Sequence, residues 1–326
     1  MIVTVTANPS IDLTMAVEAR PNGDVQRARW VLVEPSGKGV NVAVALHRTG
    51  RESLAVVPVG RGPGAHLAPM LDALQLHYVG VPVPGHVRTN VSLIEDDGTT
   101  SKINEAGAAL GPDAAAALVD ASLAHSQPGD WVAWCGSLPA GFDLDVLADA
   151  VAAARAAGRH VAVDTSQAAL KNVLTRPAAE VPHLIKPNAE ELADLTGRGF
   201  ATLGDIADAA TSLVASGVRT VLVSLGPDGA ILADRDGARH GAARPERVAN
   251  TAGAGDSLLA GYLGAGHATP DDRLAAAVRF GAAAVAQAGT LFTPPSTFPT
   301  AHVQPVDRAT GLTAPVTEPL SQEATT

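Results

Sequence analysis

The 326-residue sequence has little of several residue types, and each shortage excludes a class of protein. Its one cysteine, Cys135, excludes a disulfide framework or a cysteine-based zinc site within one chain. Aromatic residues make up 3% of the chain and apolar residues 46%. Ala, Val and Leu must therefore build the core, which suits close packing of helices on a sheet. No uninterrupted apolar run reaches the roughly 18 residues of a membrane span.

Basic residues are also few, with 23 Lys and Arg against 33 Asp and Glu and a net charge of -10. This balance excludes a general nucleic-acid binder, which needs a basic face. It does not exclude a phosphorylated small substrate, since a few local arginines act through short-range hydrogen bonds. The first residues, MIVTVTANPSID, alternate like a strand and lack the features of a signal peptide. We therefore expect a cytoplasmic protein without membrane contact.

Apolar β-runs alternate with helical runs along most of the chain. Such alternation predicts a mainly parallel sheet with helices on both faces, whose ligands bind beyond the carboxyl ends of the strands. The predicted strands are residues 2–7, 53–60, 131–136, 160–166, 183–188 and 220–226. The predicted helices are residues 40–50, 66–76, 143–158 and 205–217.

Two segments interrupt this order, at about residues 12–34 and 88–104. Each contains short alternating runs around a turn signal, which predicts a small antiparallel sheet inserted from two places in the chain. One apolar face of such a sheet needs cover, as in a lid over a site or a contact with a partner subunit. We expect one domain over residues 1–305 and a flexible tail over residues 306–326, because the end of the chain lacks periodicity.

The sequence NTAGAGDSLLAGYL, residues 250–263, carries the strongest chemical signal. Gly253, Ala254 and Gly255 would present main-chain amides at a helix start, where phosphate oxygens and growing negative charge are stabilised. Asp256 follows in the first turn and could accept a proton from a hydroxyl that attacks phosphorus. The alternative is an acid that only complements the helix dipole.

Three further stretches have both a functional and a structural interpretation. SGKGVNVA (36–43) is not a Walker A loop, but its glycines allow close ligand approach, with Lys38 and Asn41 as polar contacts; an ordinary turn is the alternative. In IKPNAEEL (185–192), Asn188 and Glu191 either form a capping box or influence a magnesium ion. VSLGPDGA (223–230) is either a turn between strands or a strand exit where a nucleotide lies. HExxH, complete GxGxxG and GxSxG motifs are absent.

In this order along the chain, the motifs resemble the PfkB family of ribokinase-like sugar kinases over about residues 1–295. The signatures are TAGAGD (251–256), SGKGVNVA (36–43) and the Asn-x-x-Glu pair at Asn188 and Glu191. TANPSIDL (6–13), RTN (88–90), CGSLPAG (135–141) and VDTSQAAL (163–170) resemble the phosphosugar branch. The resemblance implies a three-layer α/β/α sandwich of the ribokinase type with a small antiparallel β lid.

The resemblance also implies roles for individual residues. Asp256 would be the general base, and the amides of Gly253, Ala254 and Gly255 the anion hole. The residues implied for the sugar and its phosphate are Asp12, Arg27, Gly37, Lys38, Asn41, Arg88 and Ser137. The residues implied for ATP are Lys186, Ser224, Gly226, Gly229 and Thr251. Mg²⁺ would be required, with Asn188 and Glu191 acting on it through water.

The expected activity is ATP-dependent phosphorylation of a ketose phosphate, with fructose 1-phosphate favoured. Fructose 6-phosphate and tagatose 6-phosphate stay open as alternatives, since all present a phosphate and a primary alcohol. A more distant alternative is a regulator that binds a sugar phosphate or nucleotide without catalysis. The lid, as in several members of the family, would form the contact of a homodimer.

Overall fold

Short apolar strands, buried on both faces, form the centre of the molecule. The computed structural model describes residues 1–18, 23, 25–60, 66–97, 99–165 and 167–317. The strands of this part are β1 (Ile2–Val5), β2 (Ser10–Ala16), β3 (Trp30–Ser36), β4 (Ser53–Gly60), β5 (Tyr78–Val83), β6 (Arg88–Ile94), β7 (Thr100–Asn104), β8 (Trp131–Cys135), β9 (His160–Asp164), β10 (Leu184–Ile185), β11 (Phe200–Thr202), β12 (Thr220–Ser224), β13 (Ala230–Asp234), β14 (Gly237–Ala243), β15 (Ala301–Pro305) and β16 (Gly311–Val316).

The helices follow the strands and cover the sheet. They are α1 (Lys38–Arg48), α2 (Leu67–Ala73), α3 (Pro112–Ala124), α4 (Leu144–Ala156), α5 (Gln167–Leu174), α6 (Ala189–Thr196), α7 (Leu203–Ala215), α8 (Ala254–Gly264) and α9 (Pro270–Val285). The predicted helices correspond to α1, α2, α4 and α7, with boundaries shifted by a few residues. None of these described helices has the length and apolar character that a membrane crossing requires.

The main sheet has ten strands in the order β15-β14-β13-β12-β10-β9-β8-β1-β4-β5. The strands from β12 to β5 pair in parallel, and β13, β14 and β15 extend one edge in antiparallel fashion. Because strand side chains alternate, Val132 and Trp134 of β8 pack with α3 to α7, whereas Ala133 and Cys135 pack with α1, α8 and α9. The predicted three-layer α/β/α sandwich is confirmed.

The two inserted segments meet in one four-stranded sheet, β3-β2-β6-β7, which we call the lid. β2–β3 and β6–β7 are antiparallel hairpins, as expected, but the central pair β2–β6 is parallel. The reason is that β2 follows β1 and β6 follows β5, and β1 and β5 run in the same direction in the main sheet. The chain therefore enters β2 and β6 from the same side, and the two strands run in the same direction. Residues 19–22, 24 and 98 of the predicted lid lie outside the described residues.

The expectation of a flexible tail from residue 306 is wrong for residues 311–316. This segment is β16, which pairs with β11, and Leu312 is buried in the core. Two polar contacts also attach the segment, since Arg308 contacts Asp208 at 2.6 Å and the Thr313 amide donates to Asp228 at 2.8 Å. The sequence of this strand shows little periodicity because Leu312 is the only one of its six residues that is fully buried. Residues 318–326 lie outside the described residues.

Candidate active site

The polar side chains of the site meet where the parallel strands end and helices α1 and α8 begin. Asp164 is the last residue of β9, Lys186 directly follows β10, and Lys38 opens α1. The carboxyl ends of parallel strands share one edge of the sheet, so residues far apart in sequence converge there. This edge holds most of the site residues that the sequence indicates.

Asp256 lies in the first turn of α8, behind a backbone turn that only glycine adopts readily. Gly253 caps the helix at φ 74°, and a Cβ there would lie 2.6 Å from the carbonyl oxygen of Thr290. The Ala254 amide donates a long bond of 3.4 Å to the Thr251 carbonyl. Within the described residues, the amides of Gly255 and Asp256 make no hydrogen bond. The first amides of a helix have no acceptor within the helix. These amides are open to an anion.

The Asp256 carboxyl group is buried and held in one orientation. Its Oδ2 accepts a hydrogen bond of 2.8 Å from Asn41 Nδ2. Burial, reinforced by the negative charge of Asp164, raises the pKa of Asp256 to about 6, while Lys38, Asn41 and Lys186 oppose the shift. A carboxylate with such a pKa is ionised at neutral pH and still accepts a proton readily, as general-base catalysis requires.

Asp164 joins two lysines and was missing from the predicted site. Its carboxylate lies 2.8 Å from Lys38 Nζ and 3.2 Å from Lys186 Nζ. The two ammonium groups hold the pKa of the buried Asp164 below its usual range, and Asp164 in turn raises the pKa of Lys38. The available signal was the position of this acid at the end of a predicted parallel strand, in the VDTSQAAL stretch.

A cavity of about 640 Å³ opens beside the start of α8. Four of the five residues predicted for ATP line it, namely Ser224, Gly226, Gly229 and Thr251. The fifth, Lys186, is buried beside the start of α8, where a Cβ on Gly255 would lie 3.4 Å from its Nζ. The cavity and the open amides are therefore adjacent, as a nucleotide and its transferred phosphoryl group would require.

The two glycines of the 223–230 stretch differ in what they contact. Gly226 has φ 58° and open space where a Cβ would stand, so its backbone faces the cavity. Gly229 has φ 85°, and a Cβ there would lie 2.2 Å from the Gly241 carbonyl oxygen. The turn between β12 and β13 therefore needs Gly229 for structural reasons, while a nucleotide at this strand exit stays a prediction.

Apolar residues of the same cavity were also missing from the prediction. They come from the chain before the signature and from α8 and α9: Pro245, Val248, Leu258, Val278, Gly281, Ala282 and Val285. Such a surface suits the flat face of a nucleotide base. Small residues on α9 gave no recognisable motif, and only packing against α8 brings them to the cavity.

One face of the lid is polar. We call the space between this face and the ends of the parallel strands the cleft. Asp12 Oδ1 accepts bonds from Ser10 Oγ at 2.9 Å and from Asn90 Nδ2 at 3.0 Å. Arg88 is half-buried, and its Nε has no hydrogen-bond partner among the described residues. Burial lowers the pKa of Arg88, and Asp12 opposes that shift. Its Nη1 donates a bond of 3.3 Å to the Glu105 carbonyl, and the guanidinium group, with further N–H donors beside this cluster, suits a phosphate.

Asn8 connects the lid to the end of β8 and was also missing from the prediction. Its Nδ2 donates to the Ala106 carbonyl at 3.1 Å and to Ser137 Oγ at 3.3 Å. Gly37 lies nearby with φ 120°, where a Cβ would stand 2.8 Å from the methyl group of Thr6. The predicted sugar residues Gly37, Lys38, Asn41 and Ser137 therefore lie together around the start of α1.

The structure does not bring Arg27 to Arg88. Arg88 is in register with Ser10 at one end of β2, whereas the Arg29 amide bonds to Ala16 at the other end. Six residues of strand separate these ends by about 20 Å. Arg27 lies beyond the far end and is exposed. Within one chain, the expected pair of arginines on one phosphate is not formed.

Asn188 and Glu191 form the capping box that the sequence left as an alternative. Asn188 Oδ1 accepts from the Glu191 amide at 2.7 Å, and Glu191 Oε2 accepts from the Asn188 amide at 2.8 Å. The other carboxylate oxygen, Oε1, lies 4.0 Å from Lys38 Nζ. The capping box therefore leaves Glu191 Oε1 without a hydrogen bond from the box, and Asn188 lines the cavity. Among the described residues, no cluster of three or more His, Cys, Asp or Glu could hold a metal by itself.

Comparisons with known proteins identify what this chain is similar to. The model of the pfkB family carbohydrate kinases matches residues 3–296. A 1-phosphofructokinase from Rhodobacter capsulatus is 37% identical over 268 residues, covering 80% of this chain and 82% of that protein. The ATP-dependent 6-phosphofructokinase isozyme 2 of Escherichia coli K12 is 33% identical, covering 79% and 83%. The crystal structure of phosphofructokinase-2 from Escherichia coli with substrates and products superposes with a TM-score of 0.82, at 30% identity, covering 87% and 92%.

Proposed function

Because the chain belongs to the PfkB family of carbohydrate kinases, we propose that it transfers the γ-phosphoryl group of ATP to the free primary hydroxyl of a ketose phosphate. The preferred substrate in this proposal is fructose 1-phosphate, which gives fructose 1,6-bisphosphate. The observation that carries it is the buried Asp256 carboxylate, which Asn41 orients beside the open amides of α8.

Asp256 accepts the hydroxyl proton as the sugar oxygen attacks the γ-phosphorus. The amides at the start of α8 then stabilise the negative charge on the transferring phosphoryl group. Lys38 and Lys186, held by Asp164, add positive charge on the sheet side of the same space. Each group acts on charge that develops in the transition state, which is what accelerates a reaction.

The proposal includes Mg²⁺, because Asn188 and Glu191 suit an ion that the protein binds weakly. A site with one open carboxylate oxygen, on Glu191, suits an ion that takes most of its ligands from nucleotide phosphates and water. Asn188 is engaged as a helix cap and serves to place Glu191. When bound, the ion neutralises phosphate charge.

The phosphate already on the sugar goes to Arg88 in this proposal. Arg88 stands on the polar face of the lid with Asp12 and Asn90, which suit sugar hydroxyl groups. Fructose 6-phosphate and tagatose 6-phosphate offer the same chemistry with a different hydroxyl free. The 37% identity to a 1-phosphofructokinase and the 33% identity to a 6-phosphofructokinase leave fructose 1-phosphate favoured.

A coupled ADP-release assay across the three ketose phosphates tests the substrate. Fructose and ribose serve as controls that lack the phosphate. We expect the highest kcat/KM with fructose 1-phosphate and little turnover with the unphosphorylated sugars. Higher kcat/KM with either competitor would reassign the substrate. Absence of ADP release with every sugar would favour the alternative of a non-catalytic regulator.

A second copy of this chain is the partner we propose for the outer face of the lid. Cross-strand register places seven apolar residues on that face: Leu13, Met15, Val31, Val33, Val91, Leu93 and Ile103. Val31, Val33 and Ile103 are 54%, 50% and 65% exposed. An apolar sheet face without a covering helix favours burial against another surface, and an isologous dimer provides it. The cytoplasmic location expected from the sequence stays a prediction.

A further inference from the structure

Glu34 connects the lid to the loop that supports the start of α8. It lies on β3, two residues before the end of that strand, and is half-buried. Its Oε2 accepts a hydrogen bond of 2.8 Å from the Thr290 amide, which is 256 residues away in sequence. A charged acceptor makes this bond stronger than a neutral one.

Gly289 lets the carboxylate approach this loop closely. A Cβ on Gly289 would lie 2.6 and 2.9 Å from the two carboxylate oxygens of Glu34. Such distances are shorter than a van der Waals contact, so a side chain at this position would displace the carboxylate. The loop is therefore shaped to receive Glu34.

Thr290 continues the connection to the predicted anion hole. Its amide binds Glu34, and its carbonyl oxygen lies against the left-handed turn of Gly253, 2.6 Å from where a Cβ would stand. Gly253 caps the helix that carries Gly255 and Asp256. Only one residue, Thr290, separates the lid carboxylate from the turn that sets the direction of the amides.

A second route from the same strand reaches Asp256 itself. Ser36, the last residue of β3, donates a bond of 3.4 Å to Asn41 Oδ1, and Asn41 Nδ2 donates to Asp256. Asp12, which we assign to the sugar, is the cross-strand partner of Glu34. Strand β3 thus lies between the residue that meets the sugar and both parts of the reaction centre.

We propose that Glu34 is a positioning residue that couples the placement of the lid to the geometry of the anion hole and of Asp256. The inference rests on the proposed roles of Asp256 and the α8 amides. When the sugar binds Asp12, strand β3 takes a fixed position. Through Glu34, the start of α8 then takes a fixed position as well. Transfer to the sugar is thereby favoured over transfer to water, which a misaligned or open site would allow.

Two variants break the connection from opposite sides. Glu34→Ala removes the acceptor, and Gly289→Ala keeps Glu34 but displaces its carboxylate. We expect both to lower kcat about 10- to 100-fold, the scale of a small misplacement, with KM for ATP within about threefold of wild type. Glu34→Gln keeps an acceptor oxygen and should restore most of the turnover.

Arg48→Ala is the matched control, because Arg48 anchors the same segment from α1 without touching the lid. Its Nη1 donates to the Phe292 carbonyl at 2.9 Å and to Thr293 Oγ1 at 3.1 Å. We expect this variant to lose thermal stability but to keep kcat per folded molecule. The ratio of ADP formed without sugar to ADP formed with sugar should rise in Glu34→Ala and Gly289→Ala only.

The proposal is overturned if those two variants match Arg48→Ala in kcat and in this ratio, or if Glu34→Gln is as impaired as Glu34→Ala. Asp256→Asn, measured in parallel, separates this result from the proposed function. An active Asp256→Asn enzyme contradicts the assigned base, whatever the Glu34 variants do. An inactive one, with normal Glu34 variants, contradicts only the coupling.

Discussion

At the scale of single residues, the environment of Asp256 distinguishes a base from a helix-dipole partner. An acid that only complements a dipole does not need burial or an orienting amide. Asp256 has both, since it is 7% exposed and bonded to Asn41. Burial is the largest influence on its pKa and, with the negative charge of Asp164, outweighs the opposing effect of Lys38, Asn41 and Lys186.

Asp256→Asn should abolish most turnover without unfolding the protein. We expect kcat to fall about 10²- to 10⁴-fold, the usual contribution of a general base. Because the pKa of Asp256 is higher in the folded chain than in the unfolded one, its charge destabilises the fold above about pH 6. The variant should therefore melt no lower than wild type at pH 8. Near-normal turnover would remove Asp256 from the mechanism.

The same pKa predicts how activity depends on pH. The base must be ionised in the free enzyme, so kcat/KM for the sugar should rise with pH through about 6 and level off above it. A pH profile of kcat/KM for the sugar, at saturating ATP, measures this. An acid limb near pH 4 would mean that Asp256 is not desolvated in the working enzyme or is not the titrating group.

Arg88→Ala should act on substrate binding rather than on chemistry. A lost charge-assisted contact to phosphate costs about 1.5 to 3 kcal/mol, or about 10- to 100-fold in KM for the phosphosugar. Arg176→Ala is the control, because Arg176, which follows α5, pairs with Asp149 of α4 at 2.8 Å and not with a lid residue. An unchanged KM in Arg88→Ala would show that the phosphate binds elsewhere.

At the scale of elements, helix α8 depends on a left-handed residue at its start. Gly253 combines φ 74° with contact to Thr290, while Gly266, just beyond the other end, has φ 62° and open space. The two glycines thus share backbone strain but differ in crowding and in distance from the site. They form a matched pair for testing the anion hole.

Gly253→Ala should impair both stability and turnover, whereas Gly266→Ala should impair stability alone. Each substitution places an L-residue in the left-handed region at a cost of about 1 to 2 kcal/mol. Only Gly253→Ala also drives a methyl group into the Thr290 carbonyl and turns the following amides. We expect kcat of that variant to fall about 100-fold, measured beside thermal melting. Equal kcat in both variants would contradict an anion hole at this turn.

At the scale of the whole molecule, the lid has two faces with different chemistry. Asp12, Glu34 and Asn90 are in register on the face toward the cleft, and the apolar rows lie on the other. In our proposal, one face of this sheet serves the site and the other serves the dimer interface. Loss of the proposed dimer would therefore be expected to affect activity as well.

Ile103→Asp should dissociate the proposed dimer. A charge on the outer face would be buried without a partner at the interface. Thr100→Asp places the same charge on β7 but on the opposite face of the lid, and it should leave the dimer intact. Light scattering after size exclusion, at micromolar concentration, measures both. A monomeric wild-type protein would contradict the proposal.

Local sequence determined six strands of the parallel part of the main sheet, helices α1, α2, α4 and α7, the chemical character of TAGAGD and SGKGVNVA, and the capping box at Asn188. These features depend on short-range periodicity, backbone freedom and side-chain reach, which neighbouring residues fix. The tertiary structure alone decided that Asp164 joins Lys38 and Lys186, that Asn8 reaches Ser137, that Arg27 lies away from Arg88, and that residues 311–316 form a strand. These contacts join segments far apart in the chain, and their partners are set by how the sheet and its helices pack.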